Sequence, residues 1–292
     1  MEEKLTAFDV NKTGLTAYTD RRHSCSVGFI TDSIVRVKYC FSPAVSPLDS
    51  YAVVSGQEEN HCAAIRDEYR LLPLADHEIC ESGDTVVLRS SSAVVTIARS
   101  PFAITITAKD GGVCHADLSG YAYTKDANLR RIHHFALGDF SDFYGLGEKT
   151  GPLNKFKRRM RMYCCDSLGY DAKKADPLYK HIPFFIKRSA DGRRCCGIFY
   201  DNPASGVIDL GCERSGYWPA YAYASFDSGD IEYYVITGNR LRDIVRGYAL
   251  LTGTTALPSF ASLGYIASTM YYTEQEKNCD KGIEKFLHEL ES

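Results

Sequence analysis

Hydrophobic and polar residues alternate with a period of two through about the first 240 residues. In the segment 34–40, valines and a tyrosine alternate with Arg36 and Lys38, and in the segment 103–107 isoleucines alternate with threonines. Such alternation predicts strands that bury one face in a core and expose the other to water. Many short strands of this kind, with almost no helical period, favour an antiparallel β-sandwich.

Turn-forming residues separate several of these predicted strands. Asp110-Gly111 follows the segment 103–107, and Asp191-Gly192 separates FFIKR from CCGIFY. Such dipeptides supply the positive φ that tight hairpins need. The segment 227–230 has a similar composition and lies between YAYASF and IEYYVIT, so we expect another hairpin there.

The hydrophobic period changes after Gly238. Four apolar residues then fall at positions i, i+3, i+4 and i+7, which predicts one amphipathic helix with Gly253 as its C-terminal stop. These residues are Leu241, Ile244, Val245 and Tyr248. Because the segment 254–258 has the composition of a linker, we place the end of an N-terminal β-sandwich domain, residues 1–253, at this point.

A strand and a helix are predicted within the remaining residues, 254–292. The segment ASLGYIAS is short and apolar, and Thr273 with Glu276 forms a capping-box pattern that would open a helix. The apolar face of that helix consists of Ile283, Phe286, Leu287 and Leu290. One strand and one helix are an eighth of a (β/α)8 barrel, so we expect an incomplete second domain. Its uncovered apolar face leaves homo-oligomerisation open.

Composition and charge exclude several classes of function. The net charge of −3 and the pI near 6.2 argue against nucleic-acid binding, although five of the seven residues from Lys155 to Arg161 are basic. No apolar run approaches about 18 residues, so no membrane span is expected. The eleven cysteines lack zinc-binding spacing and the N-terminus lacks a secretory h-region, which indicates a cytoplasmic protein without a metal or other cofactor.

Two separated segments carry a family resemblance. The first, from Phe143 to Ile186, reads FYGLGEKTGPLNKFKRRMRMYCCDSLGYDAKKADPLYKHIPFFI, and the second reads LPSFASLGYIASTMYYTE. The first resembles the N-terminal domain signature of glycoside hydrolase family 31, the α-glucosidase and α-xylosidase family, and the second resembles the first strand of that family's catalytic barrel. The resemblance implies a galactose-mutarotase-like antiparallel β-sandwich followed by the first βα unit of an incomplete (β/α)8 barrel.

The resemblance also implies which residues meet the substrate. Asp166 matches a loop aspartate that hydrogen-bonds sugar hydroxyls, and its carboxylate suits that role because it accepts several hydrogen bonds. Met270 matches a pocket position that usually carries Tyr or Trp, so a changed sugar preference is possible. Tyr170, in the same loop as Asp166, could stack on a sugar face or anchor the loop. Tyr271 and Tyr272 are weaker candidates for the pocket wall beside Met270. The alternatives are a simple Asx-turn for Asp166 and a gap-filling role for Met270.

The catalytic carboxylates of the family, which lie in a W-x-D-M-N-E type segment and beyond it, are not found in the sequence. We therefore expect the N-terminal portion of a retaining α-glycosidase, which binds an oligosaccharide or small glycoside but supplies no catalytic residue and is inactive alone. The preferred sugar is not indicated. The alternative is a stand-alone carbohydrate-binding sandwich; mutarotase activity ranks lowest, because no catalytic His and Glu pair is evident.

Overall fold

Eighteen β-strands lie among the residues that the computed structural model describes, which are 2–42, 50, 52–53, 75–254, 257–264, 266, 269–272, 274–275 and 277–292. The chain divides into two compact units, Met1–Gly253 and Thr254–Ser292. All eighteen strands belong to the first unit.

The strands form three sheets in that unit. They are β1 (Leu5–Val10), β2 (Gly14–Thr19), β3 (Ser24–Thr31), β4 (Ile34–Cys40), β5 (Glu78–Ser82), β6 (Thr85–Arg89), β7 (Ala93–Arg99), β8 (Phe102–Ala108), β9 (Val113–Ala116), β10 (Tyr123–Lys125), β11 (Arg131–Ala136), β12 (Phe140–Gly145), β13 (Arg159–Met162), β14 (Phe184–Ser189), β15 (Cys195–Tyr200), β16 (Gly206–Asp209), β17 (Tyr221–Phe226) and β18 (Ile231–Gly238). One sheet has the order β1-β2-β3-β4-β18-β15-β14-β12, the second β10-β11-β17-β16-β13, and the third β5-β6-β7-β8-β9. Their ladders are antiparallel, which confirms the predicted mainly β fold.

Two of the three predicted hairpins are confirmed, and the third is wrong. Gly111 and Gly192 both have positive φ and lie between the paired strands β8 and β9 and the paired strands β14 and β15. The segment 227–230 instead carries the chain from β17, in a five-stranded sheet, to β18, in the eight-stranded sheet. The residues of a turn determine only its local conformation. Here β17 pairs with β11 and β18 pairs with β4, so the strands on either side of the turn belong to different sheets.

The core is continuous across the three sheets. Phe29 and Ile198 of the large sheet, Val95 of the third sheet, and Phe135 and Ala224 of the second sheet belong to one cluster of side chains that are fully buried. Burying an aliphatic or aromatic side chain of this size contributes about 1.5–3 kcal/mol. The alternation seen in the sequence therefore corresponds to inward-facing residues of packed sheets.

One helix, α1 (Leu241–Thr252), packs against the large sheet and confirms the predicted helix. Ile244 is buried on β15, where Gly197 permits the approach: a Cβ at Gly197 would lie 2.5 Å from the Ile244 side chain. The ring of Tyr248 stacks on Phe184 with their centroids 4.0 Å apart. The helix ends at Gly253, whose φ is 82°.

The second unit differs from its predicted secondary structure. The segment Phe260–Leu263 forms a 3-10 turn instead of a strand, and no strand occurs in the described part of this unit. A strand needs a partner strand for its hydrogen bonds, and none is present among the described residues of this unit. Tyr265, Ala267 and Ser268 of the predicted strand lie outside those residues. The predicted helix exists as α2 (Cys279–Glu291), but it begins after Asn278; Thr273 and Glu276, which were expected to cap it, lie outside the described residues.

Candidate functional site

The segment 146–183 leaves the large sheet at a glycine that no other residue could replace without strain. Gly145 ends β12 with a φ of 125°, and a Cβ there would lie 2.5 Å from the carbonyl oxygen of Phe184. The Leu146 N–H then donates to that same carbonyl at 2.8 Å. The two ends of the segment are therefore joined at the sheet edge.

A buried lysine organises the first part of this segment. The Nζ atom of Lys155 donates to the carbonyl oxygens of Lys149, Thr150 and Pro152 at 3.2, 2.9 and 2.7 Å. Its side chain is buried, and desolvation together with the charge of Arg158 lowers its pKa. An ammonium group with three donors suits three converging carbonyls. The first residue of the basic run, Lys155, is therefore buried and holds three backbone carbonyls together.

Hydrogen bonds also tie the second part of the segment to the first. The Asp176 Oδ2 atom accepts from the backbone N–H of Arg161 at 2.8 Å, and the Lys149 Nζ donates to the Arg161 carbonyl at 2.7 Å. Glu148, next to Lys149 in the sequence, forms an ion pair with Lys180 at 3.1 Å. Lys149 and Asp176 thus both bond to the backbone of β13. We call the part of the segment that contains Lys155 and these bonds its base.

Two of the predicted substrate-binding residues, Asp166 and Tyr170, lie in the middle of the segment, which we call its tip. Asp166 is exposed, and the Tyr179 hydroxyl donates a hydrogen bond to its carboxylate, which raises the pKa of Tyr179. Tyr170 lies in the same segment and is 54% exposed. Asp171, by contrast, caps its own turn by accepting the Lys173 N–H at 2.8 Å. An exposed carboxylate held by one hydroxyl retains lone pairs for sugar hydroxyls.

The other two predicted residues lie in the second unit. Met270 and Tyr271 are 71% and 64% exposed, and Tyr271 packs edge-on against Tyr272 at 5.2 Å between ring centroids. The Met270 carbonyl accepts a hydrogen bond from the Glu274 N–H at 3.0 Å. Each pair of predicted residues is therefore accessible within its own unit, Asp166 with Tyr170 and Met270 with Tyr271.

A buried polar cluster in the sandwich core was not predicted. The Asp117 carboxylate accepts from the Nε2 atoms of His133 and His115 at 2.9 and 3.3 Å, and from the Ile104 N–H at 2.9 Å. The His133 Nδ1 atom accepts from the Tyr200 hydroxyl at 2.9 Å. Burial opposes the ionisation of Asp117, but the hydrogen bonds from the two histidines outweigh it and lower its pKa.

This cluster is sealed from any substrate. Its three charged or titratable side chains are fully buried, so they cannot act on a bound sugar as a mutarotase pair would. Each of the three side chains offers one possible metal-ligand atom, and these atoms lie within 4.8 Å of one another, close enough to hold a metal ion. In this structure both histidines instead form hydrogen bonds to Asp117. His134 follows His133 on β11 and so faces the other side of that strand, and its Nδ1 atom donates to the Tyr121 carbonyl at 3.1 Å.

Comparison with known proteins identifies the family. The family model described as the glycosyl hydrolase 31 N-terminal galactose mutarotase-like domain matches residues 24–209. The chain belongs to glycoside hydrolase family 31. The match covers most of the sandwich and the whole of the 146–183 segment, Asp166 included.

Several relatives support the family 31 assignment. Alpha-glucosidase 2 from Bacillus thermoamyloliquefaciens is 30% identical over 253 residues, which cover 86% of this chain and 29% of that enzyme. The alpha-xylosidase of Emericella nidulans is 29% identical over 48% of this chain and 16% of its own length. The family 31 dextranase of Flavobacterium johnsoniae, complexed with glucose, superposes with a TM-score of 0.74 at 24% identity over 87% of this chain and 29% of that one. The chain thus spans less than a third of these relatives.

No helix in the described part of this family 31 chain is both long and apolar enough to cross a membrane.

Sequence reasoning missed Lys155, Asp117 and His115 as residues around which buried hydrogen bonds are organised. A lysine inside a basic run gives no signal of burial, and the two residues of the pattern H-x-D at 115–117 share a strand face only if β9 is recognised as a strand.

Proposed function

We propose that this chain is the N-terminal portion of a retaining α-glycosidase and that its 146–183 segment forms one wall of the substrate pocket. The observation that carries the proposal is the exposed Asp166 carboxylate at the tip of a segment whose base is fixed by Lys155. A rigid base with an accessible, ionisable tip is the arrangement that positions a hydrogen-bond acceptor against sugar hydroxyls.

The second unit, residues 254–292, is proposed to be the linker and the first strand and helix of a (β/α)8 catalytic barrel. Its exposed aromatic and sulfur-containing side chains, Met270 and Tyr271, would form another part of the pocket. The side chain of Met270 has no flat ring that could stack on a sugar. It therefore favours a sugar preference different from that of relatives with an aromatic residue at this position.

The chemistry itself would come from residues that this sequence does not contain. In a retaining mechanism one carboxylate attacks the anomeric carbon to form a glycosyl-enzyme, and a second first protonates the leaving oxygen and then activates water. In this scheme Asp166 only binds, and the 292-residue chain alone has no hydrolytic activity. The relatives are named as acting on α-glucosides and α-xylosides, so these glycosides are the proposed substrate class.

The test compares two proteins. The purified 292-residue chain should release no nitrophenol from nitrophenyl α-glucoside, whereas the protein translated from the coding sequence through codon 292 and any codons that follow should release it. In the active protein, Asp166→Asn should lower kcat/KM by about 10- to 100-fold, because a hydrogen bond to a charged group contributes about 1.5–3 kcal/mol. The control Asp171→Asn, in the same segment, should leave kcat/KM nearly unchanged. Turnover by the short chain, or equal effects of the two variants, would contradict the proposal.

A reducing cytoplasm is the proposed location. The ten cysteines among the described residues are all free thiols, including the adjacent Cys164 and Cys165. Proteins of oxidising compartments usually pair such thiols as disulfides. Growth of cells that carry a tagged protein, followed by fractionation, would test this assignment directly.

A further inference from the structure

A cavity of 330 Å³ lies between the N-terminal segment and the turn that precedes β10. Its floor is made of buried side chains, Phe102, Ala122 and Tyr123, and its rim carries the exposed side chains of Glu2, Arg21 and Tyr121. None of the described residues that line it belongs to the 146–183 segment. Its volume falls at the lower end of the range of about 300–1,000 Å³ that small-molecule sites occupy.

The wall formed by the N-terminal segment is anchored by hydrogen bonds. The Phe102 N–H donates to the Glu3 carbonyl at 2.7 Å. The buried Glu3 carboxylate accepts from the hydroxyls of Thr19 and Tyr39 at 2.5 and 2.7 Å and bonds to His23 at 3.0 Å. The carboxylate of a residue this well held is a fixed part of the cavity wall and needs no reordering when a ligand enters.

Another lining residue, Tyr121, has an aromatic ring that is packed on one side. The Tyr121 ring lies 4.6 Å from the Trp218 ring, between centroids, and yet 47% of Tyr121 is exposed. Its backbone is fixed because its N–H donates to the Leu118 carbonyl at 3.0 Å and its carbonyl accepts from His134. Nearby, Gly120 leaves room for the neighbouring carboxylate: a Cβ there would lie 3.2 Å from the Glu2 Oε1 atom.

We propose that this cavity binds one pyranose ring of a neutral saccharide, at a site separate from the pocket wall proposed above. A flat aromatic ring covers the apolar C–H face of a sugar, a carboxylate accepts hydrogen bonds from adjacent hydroxyls, and a guanidinium donates to ring and hydroxyl oxygens. The two carboxylates, Glu2 and Glu3, outnumber the guanidinium of Arg21 and oppose an anionic ligand. The cavity therefore selects a neutral saccharide over a sugar phosphate.

The sequence supplies a reporter for this site. Trp218 is the single tryptophan of the chain, and it contacts the ring that lines the cavity. A ligand that stacks on Tyr121 should therefore change the fluorescence of Trp218. No engineered probe is needed, and the signal comes from one position.

The experiment titrates the 292-residue chain with maltose, isomaltose and glucose 6-phosphate while Trp218 fluorescence is recorded. The neutral sugars should give a saturable change with a dissociation constant on the order of 1 mM. Tyr121→Ala should weaken binding at least about tenfold, which corresponds to about 1.4 kcal/mol. Glu2→Gln, a surface change that cannot disturb the core, should weaken it in the same direction. Circular dichroism verifies that each variant is folded, and saturation-transfer NMR measures binding without relying on tryptophan.

The controls separate this site from the 146–183 segment. Asp171→Asn, in that segment, should leave the dissociation constant unchanged, since Asp171 does not line the cavity. Binding that persists in the Tyr121→Ala and Glu2→Gln variants but disappears in Asp166→Asn would overturn the cavity site and support the pocket wall. The absence of saturable binding by both methods, or tighter binding of the phosphate, would overturn the proposal. Failure here leaves the nitrophenol assay of the proposed function unaffected.

Discussion

Acid should destabilise the sandwich unit through histidines that are buried in the neutral form. His115 is fully buried beside Asp117, His133 and Tyr233, and its Nδ1 atom has no hydrogen-bond partner among the described residues. Desolvation, reinforced by the charge of Lys187, lowers the pKa of His115 to about 4 even though Asp117 favours the charged form. Desolvation likewise lowers the pKa of His134 to about 4.

The sign and size of the effect follow from these values. Because the folded state binds the proton less readily than the unfolded chain, whose histidines titrate near 6.5, the stabilisation is complete above about pH 6.5 and is lost as the pH falls toward 4. Between pH 7.5 and pH 5 each histidine should lower the free energy of unfolding by about 2 kcal/mol, and the two together by about 4 kcal/mol. Asp117 adds little in this window, since its lowered pKa places its own loss of stability at more acidic pH.

The assay is urea unfolding at pH 7.5 and pH 5, followed by circular dichroism. His115→Gln keeps an N–H that can reach Asp117 but cannot be protonated, so the difference between the two pH values should shrink by about 2 kcal/mol. The control His288→Gln removes an exposed histidine of α2 and should leave the difference unchanged. An equal pH dependence in the wild type and His115→Gln would refute the account of a buried neutral histidine.

Three further predictions concern other parts of the chain. Lys155→Met should lower the free energy of unfolding by about 1.5–3 kcal/mol in urea titrations, because three carbonyls lose a charged donor, whereas exposed Lys157→Met should change it by less than about 0.5 kcal/mol. Gly145→Ala should lower the melting temperature, with a cost of at least about 1–3 kcal/mol from its strained φ, whereas Gly216→Ala, in open space, should not. Leu287→Lys on the exposed face of α2 should abolish any concentration-dependent self-association seen by size-exclusion chromatography.

The fold class could be predicted from the sequence because sandwich strands repeat a simple rule. Alternating residues in β8 do face the core and its exterior in turn, and glycines with positive φ do close the predicted hairpins. In β4 the prediction was wrong for Arg36 and Lys38, which do not face open water but pair with the buried Glu232. The sheet partner of each strand could not be predicted in the same way. The chain passes from β17 to β18 through a short turn yet changes sheets, because pairing depends on which distant edges are available.

The polar centre of the core was beyond sequence reasoning for a related reason. Asp117 and His133 are sixteen residues apart and meet only because β11 lies against the edge of the neighbouring sheet. A histidine in a strand gives no sign of whether its partner is water or a carboxylate, so its protonation cannot be assigned before the fold is known. The Tyr121 cavity is of the same kind, since it joins the N-terminus to a turn about 120 residues later.

Within the 146–183 segment, stability and recognition rest on different residues. The base is held by side chains that bond to backbone atoms, Lys155 to three carbonyls and Asp176 to the Arg161 N–H. The tip carries Asp166 and Tyr170, which are both exposed. Substitutions at the tip therefore remove little buried area or hydrogen bonding, and they can alter the sugar that is bound without unfolding the domain. Substitutions at the base act on the position of every residue above it, so their effect on binding should appear together with a loss of stability.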